Sequence, residues 1–343
     1  MRVVVAGGAG MIGSHLCEAL VARGDDVVAV DNLCTGRLRN LDALDGHPSF
    51  RFVQADAATW LPVDGPIDAV CHLASPASPA DFARRPVEIL HAGSTATFSA
   101  VELALDHGAR LLFASTSEVY GDPVVHPQVE TYRGNVSTLG PRACYDESKR
   151  FGEAVISTHA RHHGLDARIA RIFNTYGPRL RPDDGRVVSN FVVQALADRP
   201  ITLHGDGHQT RSFCFVDDLV RGLVALLDSD EPRPVNLGNP SEVRVREVAE
   251  LVVELTGSRS ELVQLPLPID DPVRRRPDVE RARASLGWEP RVALRDGLLR
   301  TIEGLRVELA LSDAAPAHSS PDEDRCRAAD SEPERSSTRV GTS

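Results

Sequence analysis

Residues 1–31 constrain this chain more tightly than any other stretch. Val3–Ala6 is a short apolar run dominated by β-branched valines, and Gly7-Gly-Ala-Gly10-Met-Ile-Gly13 follows at once. Ser14–Arg23 then carries helical apolar spacing through Leu16, Ala19, Leu20 and Val21, and Asp26–Val30 is a second buried strand closing on Asp31. In a strand–turn–helix of this kind, Gly7 permits the tight turn, Gly10 lets the backbone approach a pyrophosphate, and Gly13 lets helix and strand pack closely. The helix starts with free N–H groups facing those phosphates. Asp31 can take both ribose hydroxyls of an adenosine and repels a 2′-phosphate, so the stretch predicts NAD rather than NADP. Met11, Ile12, Asn32, Thr35, Ala57, Leu73 and Thr175 are expected to complete the cofactor's surroundings, with Asp56 meeting the adenine amine and Ser75 at a strand end.

Alternation continues beyond the turn. Strands are expected at Arg51–Ala55, Asp68–Leu73, Arg110–Ser115, Asp166–Phe173 and Pro234–Leu237. Helices are expected at Pro86–His107, Tyr145–His163, Val187–Ala197, Val216–Leu227, Val245–Thr256 and Leu294–Leu311. Such alternation implies an α/β fold, a Rossmann-type doubly wound parallel sheet with helices on both faces and ligands beyond the carboxyl ends of the strands. From about residue 176 segments shorten and prolines multiply, which suggests a smaller C-terminal substrate-binding lobe. The reading therefore divides the chain into a cofactor-binding domain over 1–175, a partly interleaved substrate lobe over 176–311, and a tail over 312–343. The tail is rich in Ser, Pro, Asp, Glu and Arg and too poor in apolar residues to order itself.

Chemistry enters with Tyr145-Asp-Glu-Ser-Lys149. Four residues apart on a helix, the phenol and the ammonium share one face. Such pairs are common, but Lys149 is the only lysine in a chain with 38 Lys+Arg. A compact ammonium can reach a ribose hydroxyl and the tyrosine together, which a guanidinium fork cannot. The expected result is a phenol pulled below its ordinary value of about 10, ready to take a proton from a sugar hydroxyl as a hydride leaves the same carbon. Thr116, at a strand end, completes a hydrogen-bonding triad.

Five stretches then carry a closer resemblance: His72–Pro79, Ser115–Asp122, Gly140–Arg150, Ala170–Arg179 and Asp184–Phe191. Together they resemble the UDP-glucuronate decarboxylases (UDP-xylose synthases), within the extended short-chain dehydrogenase/reductases, over roughly residues 1–310. The resemblance implies UDP-glucuronate as substrate, UDP-xylose and CO2 as products, and an NAD that stays bound and is regenerated. Chemistry supports the sequence of steps: oxidation at C4 makes the C5 carboxylate part of a β-keto acid, which loses CO2 to leave an enolate. By resemblance Ser117 and Glu118 manage protons near C5 and C6, Arg211 faces the uronate end, Asn174 and Arg275 contact the UDP part, and Arg186 lies in a loop above the site, beside cofactor and substrate. Relatives also dimerise through the helices at about 86–107 and 145–163, so a homodimer is expected. One departure stands out. Where relatives carry Thr-Asn, this chain has Ala92-Gly93, which removes an amide that ties strand ends and puts NAD retention in question.

Other classes fit less well. A net charge of -11 argues against nucleic acid and anionic membranes. No apolar run approaches a membrane span. The N-terminus enters a strand without a leader's regions, and six cysteines without metal or disulfide spacing suit a cytoplasmic protein. His159, His162 and His163 read as a solvated helix end, so no metal is expected. The alternatives are a nucleotide-sugar 4-epimerase or 4,6-dehydratase and, in another class, a non-catalytic NAD-binding protein. A dehydratase needs a strong acid where this chain has Ser117.

Overall fold

The computed structural model describes residues 1–59, 63–266 and 274–314, with side chains to Leu311. The chain opens with β1 (Arg2–Ala6), α1 (Met11–Ala22), β2 (Asp26–Asp31) and β3 (Phe50–Gln54). It continues through β4 (Ala69–His72), α2 (Pro79–Arg84), α3 (Pro86–Gly93), α4 (Thr95–His107) and β5 (Arg110–Thr116). Next come α5 (Ala143–His163), β6 (Ala167–Ile172), α6 (Val187–Leu196), α7 (Val216–Asp228) and β7 (Val235–Leu237). The C-terminal part adds α8 (Val245–Thr256), α9 (Glu280–Leu286) and α10 (Leu294–Ala314).

The seven strands form one parallel sheet in the order β7-β6-β5-β4-β1-β2-β3. The chain leaves β1 toward β2 and β3, then returns to lay β4 on the other side of β1. The order therefore reverses between β1 and β4, where Ala6 stands opposite His72. Helices starting from both strands splay apart there and open a crevice at the carboxyl ends. Side chains alternate across the sheet. Val3 and Val5 join Leu16, Leu20, Leu219 and Leu223 of α1 and α7, while Val4 and Ala6 join Ala96, Ala100, Val101, Val155 and Ile156 of α4 and α5. Burial on both faces explains why these strands read as continuous apolar runs.

Two features were not foreseen. The expected helix 86–107 is two helices meeting at Ser94, which has φ −110° and ψ −83° and whose hydroxyl donates to the Leu90 carbonyl at 2.6 Å. That hydroxyl competes with the helical ladder just where Gly93 weakens it. Small sheets also appear beyond residue 174. Thr210–Ser212 pairs antiparallel with Glu242–Arg244 and parallel with Arg274–Arg275, which sets Arg211 opposite Arg275. Strands of two or three residues carry no readable periodicity.

Residues 1–308 form one compact unit, and residues 309–343 a second, of which only the end of α10 is described. The remainder of the expected tail, 315–343, lies outside the described residues. Among the described residues no helix is long and apolar enough to cross a membrane.

Candidate active site

A cavity of about 490 Å³ lies in the crevice between β1 and β4. On its glycine-turn side it is lined by Gly7, Gly10, Met11, Ile12, Gly13, Thr35, Leu73 and Ser75. On the other side stand Thr116, Ser117, Glu118, Tyr145 and Lys149, with Asn174, Thr175, Arg186, Arg211 and Arg275 arriving from later segments. Asp31, Asn32, Asp56 and Ala57 are not among the lining residues. Asp31 lies behind the turn, and Asn32 donates from Nδ2 to Asp56 Oδ2 at 3.1 Å. A larger groove, about 660 Å³, runs past Arg150 and Glu153 of α5 but holds neither the turn nor Tyr145.

The glycine turn is close-packed main chain. A Cβ at Gly7, whose φ is +84°, would lie 2.7 Å from backbone atoms of Leu73 and Ala74. A Cβ at Gly13 would lie 2.0 Å from the Gly7 carbonyl oxygen. At Gly10 it would meet only that oxygen, at 3.3 Å, on the cavity side. Bare backbone at a helix start is the surface a pyrophosphate needs. Behind it the Asp31 carboxylate accepts the N–H of Ala9 at 3.0 Å and of Leu33 at 2.8 Å. Burial raises its pKa and these two bonds lower it, with the net shift upward. Turn and carboxylate together fit NAD.

Tyr145 and Lys149 are both buried on α5. The expectation that Lys149 lowers the phenol is not met. Burial pushes Tyr145 up to about 12, against a side-chain hydrogen bond from Thr116 and the positive charge of Arg186. The reason is placement. The Lys149 ammonium donates to the Ala114 carbonyl at 3.0 Å and lies over the rings of Phe113 and Tyr145, 5.1 and 5.9 Å from their centroids. Burial alone brings Lys149 itself down to about 8. Phe82 of α2 stacks on Tyr145 with centroids 5.1 Å apart, fixing the ring from the other side.

Glu118 is the charged centre of the opposite wall. Burial works against its ionised form, but Arg275 and Arg142 overcome that and hold its carboxyl down at about 2. Arg142 Nη2 donates to Glu118 Oε2 at 2.6 Å, and Arg275 Nη1 pairs with Oε1. Arg275 also donates to the Gly121 carbonyl at 3.0 Å, so it is fixed in two directions. Sequence reading placed Arg275 on the UDP part and left Arg142 without a role. The signal for Arg142 was slight: an arginine just before the helix that presents Tyr145.

Above the cavity, α2 and the segment 179–186 are tied together. Arg181 pairs with buried Asp81 at 2.9 Å, and Arg186 donates to the Ala77 carbonyl at 2.7 Å. The departure at Ala92-Gly93 also finds a physical meaning. A Cβ on Gly93 would lie 2.4 Å from Ser148 Cβ and 2.7 Å from its carbonyl oxygen. Glycine therefore lets α3 press against α5 directly beside Lys149. Among the described residues no three His, Cys, Asp or Glu side chains gather to hold a metal.

Residues 3–238 match the family model described as "NAD dependent epimerase/dehydratase family". UDP-glucuronic acid decarboxylase 1 of Xenopus tropicalis is 48% identical over 308 residues, covering 90% of this chain and 73% of the relative. UDP-glucuronic acid decarboxylase 6 of Arabidopsis thaliana is 47% identical over 312 residues, covering 91% and 90%. Among solved structures, UDP-glucuronic acid 4-epimerase of Bacillus cereus, in complex with UDP-glucuronic acid and NAD, superposes with a TM-score of 0.81 at 27% identity, covering 90% of this chain and 100% of that one.

Proposed function

The chain belongs to the NAD-dependent epimerase/dehydratase family, and from that premise we propose that it is a UDP-glucuronic acid decarboxylase, converting UDP-glucuronate to UDP-xylose and CO2. The observation that carries the reading is the pairing of the Tyr145–Thr116 oxygen site with a Glu118 carboxylate locked between Arg142 and Arg275. The glycine turn and Asp31 would hold NAD, which would supply a reversible hydride acceptor for C4.

The chain's own groups hold and move protons around that exchange. Tyr145 and Thr116 face the C4 oxygen and take charge of its proton. Once Tyr145 has taken that proton it is a neutral phenol, and its O–H is a hydrogen-bond donor to the oxygen that carries the enolate's negative charge. Lys149 remains charged at neutral pH and orients the cofactor's ribose. Arg275 and Arg142 bring positive charge to the wall that faces C5 and C6, Ser117 supplies a hydroxyl there, and Arg211 lies alongside Arg275. Asn174 and Arg186 attend the nucleotide. Residues 1–175 hold mainly cofactor and residues 176–311 mainly sugar nucleotide.

A 4,6-dehydratase needs an acid where this chain has Ser117, a poor proton donor, and Arg142 and Arg275 hold the neighbouring Glu118 ionised, which disfavours that reaction. Mass spectrometry of UDP-glucuronate after incubation with the purified chain tests the rest. Loss of one CO2 to give a UDP-pentose is the expected result. An unchanged mass with inversion at C4 makes it an epimerase instead, and no change despite NAD binding points to a non-catalytic protein.

A homodimer through α3, α4 and α5 and a cytoplasmic setting complete the proposal. These helices expose Val87, Leu90, Phe98 and Phe151, and the two phenylalanine rings lie 6.1 Å apart. An exposed apolar patch of this kind suits a partner surface. Sedimentation of the purified chain as a monomer at micromolar concentration would remove the dimer.

A further inference from the structure

The glycine turn, Asp31 and the segment after β2 form one hydrogen-bonded body. Ala9 is its hub. Its N–H goes to Asp31, while its carbonyl accepts the Arg37 N–H at 3.0 Å and the side-chain amide of buried Asn40 at 2.8 Å. Gly36 lies directly against the ribose carboxylate, since a Cβ there would stand 2.8 Å from both Asp31 oxygens. Residues 36–40 therefore set where the turn and Asp31 stand.

The outer side of this body ends in two arginines, and both guanidiniums, Arg37 Nη1 and Arg39 Nη2, pair with the same oxygen, Glu308 Oε2 of α10. Glu308 is 7% exposed and lies 271 and 269 residues from its two partners. Two cations brought to one place repel each other unless an anion stands between them. Without Glu308 the favourable course for Arg37 and Arg39 is to separate and hydrate, and the backbone they carry moves with them. None of these groups lines the wall that holds Tyr145 and Glu118.

We propose that Glu308 is a positioning residue for the cofactor: from α10 it clamps the segment 36–40 and thereby keeps NAD in place across a full catalytic cycle. The inference rests on the NAD-dependent reading above. It also offers a source of cofactor retention other than the amide missing at Ala92-Gly93.

The test uses the full chain purified with its cofactor. NAD release is followed by displacement and by the NAD retained after gel filtration, and the wild type is measured first. Glu308→Gln should release NAD at least tenfold faster and raise the KM for NAD by a similar factor, while kcat at saturating NAD stays within about twofold. Arg39→Met removes one arm and should quicken release severalfold. In Glu308→Gln/Arg39→Met one of the two unpaired cations is gone, so part of the loss should return. Release at the wild-type rate in Glu308→Gln overturns the proposal. So does a kcat that falls as far as NAD affinity does. Should Glu308→Gln not fold, unchanged release in Arg39→Met overturns it equally. A wild type that binds no NAD overturns the cofactor reading itself, a different and recognisable result.

Discussion

The two walls of the cavity are made of different material. The glycine-turn wall is main chain, shaped by Gly7, Gly10 and Gly13 within seven consecutive residues. The opposite wall is charged side chain, with Glu118, Arg142 and Arg275 delivered by three separate segments. A wall of backbone is set by local conformation, and any added atom spoils it. A wall of charges is set by tertiary packing and works through mutual compensation: removing one member leaves the others uncompensated. In the proposed reading the first meets a group common to every dinucleotide, and the second supplies the charge pattern that one particular substrate needs.

That contrast can be broken or sharpened by substitution. Arg275→Met should cost the most, lowering kcat by roughly 10²- to 10³-fold as expected for loss of a fixed electrostatic donor. NAD affinity should stay within about twofold, and a parallel loss in an NAD titration would show that the walls are not independent. Gly13→Ala is the converse. Its Cβ would have to displace the Gly7 carbonyl, 2.0 Å away, so NAD affinity should drop about a hundredfold and stability by roughly 2 kcal/mol. Calorimetric titration and thermal unfolding check both, and undiminished affinity would mean that the turn is not the pyrophosphate site.

Gly93→Asn lies between the walls. A side chain there must push α5 away at Ser148, moving Tyr145 and Lys149 together. We expect kcat to fall about tenfold, since small misplacements of reacting groups are costly. Ser148→Gly in the same protein should recover part of it, since the contact with the residue 148 carbonyl at 2.7 Å remains, and no recovery would exclude the Ser148 side chain as the cause.

The last effect is thermal. Burial holds the Lys149 pKa at about 8, against an ordinary 10.5. Between those values the unfolded chain binds more protons, so stability rises with pH there, and the cost of the buried charge is fully present below 8. Lys149→Met should therefore raise the melting temperature at pH 7, by free energy on the order of 3 kcal/mol at most, even as turnover is lost. The advantage should fade by pH 10, and a pH-independent difference would exclude burial of the charge as its cause.

Where the chemistry is local, the residues announce it. The strand, the spaced glycines and Asp31 lie within 1–31 and read directly, as do the two-sided strands β1, β2, β4 and β5. Tyr145 and Lys149 announce themselves by helical spacing and by the chain's single lysine. The break at Ser94 was not foreseen, because a serine beside a glycine within an apolar-periodic run fits a continuous helix as well as one interrupted by its hydroxyl on the Leu90 carbonyl. Nor was the state of Tyr145. Sequence spacing puts a cation one turn away, but whether it reaches the hydroxyl or the ring is decided by the Ala114 carbonyl on β5.

The sequence by itself determined the parallel sheet, the glycine turn and the shared helix face of Tyr145 and Lys149, because each follows from residues near one another along the chain. Tertiary structure alone decided that Glu118 is an anion between two arginines, that burial pushes the Tyr145 phenol upward, and that Glu308 reaches back to Arg37 and Arg39. Charge states depend on burial and on neighbours in space, and those neighbours are set by how distant segments pack rather than by their spacing in the chain.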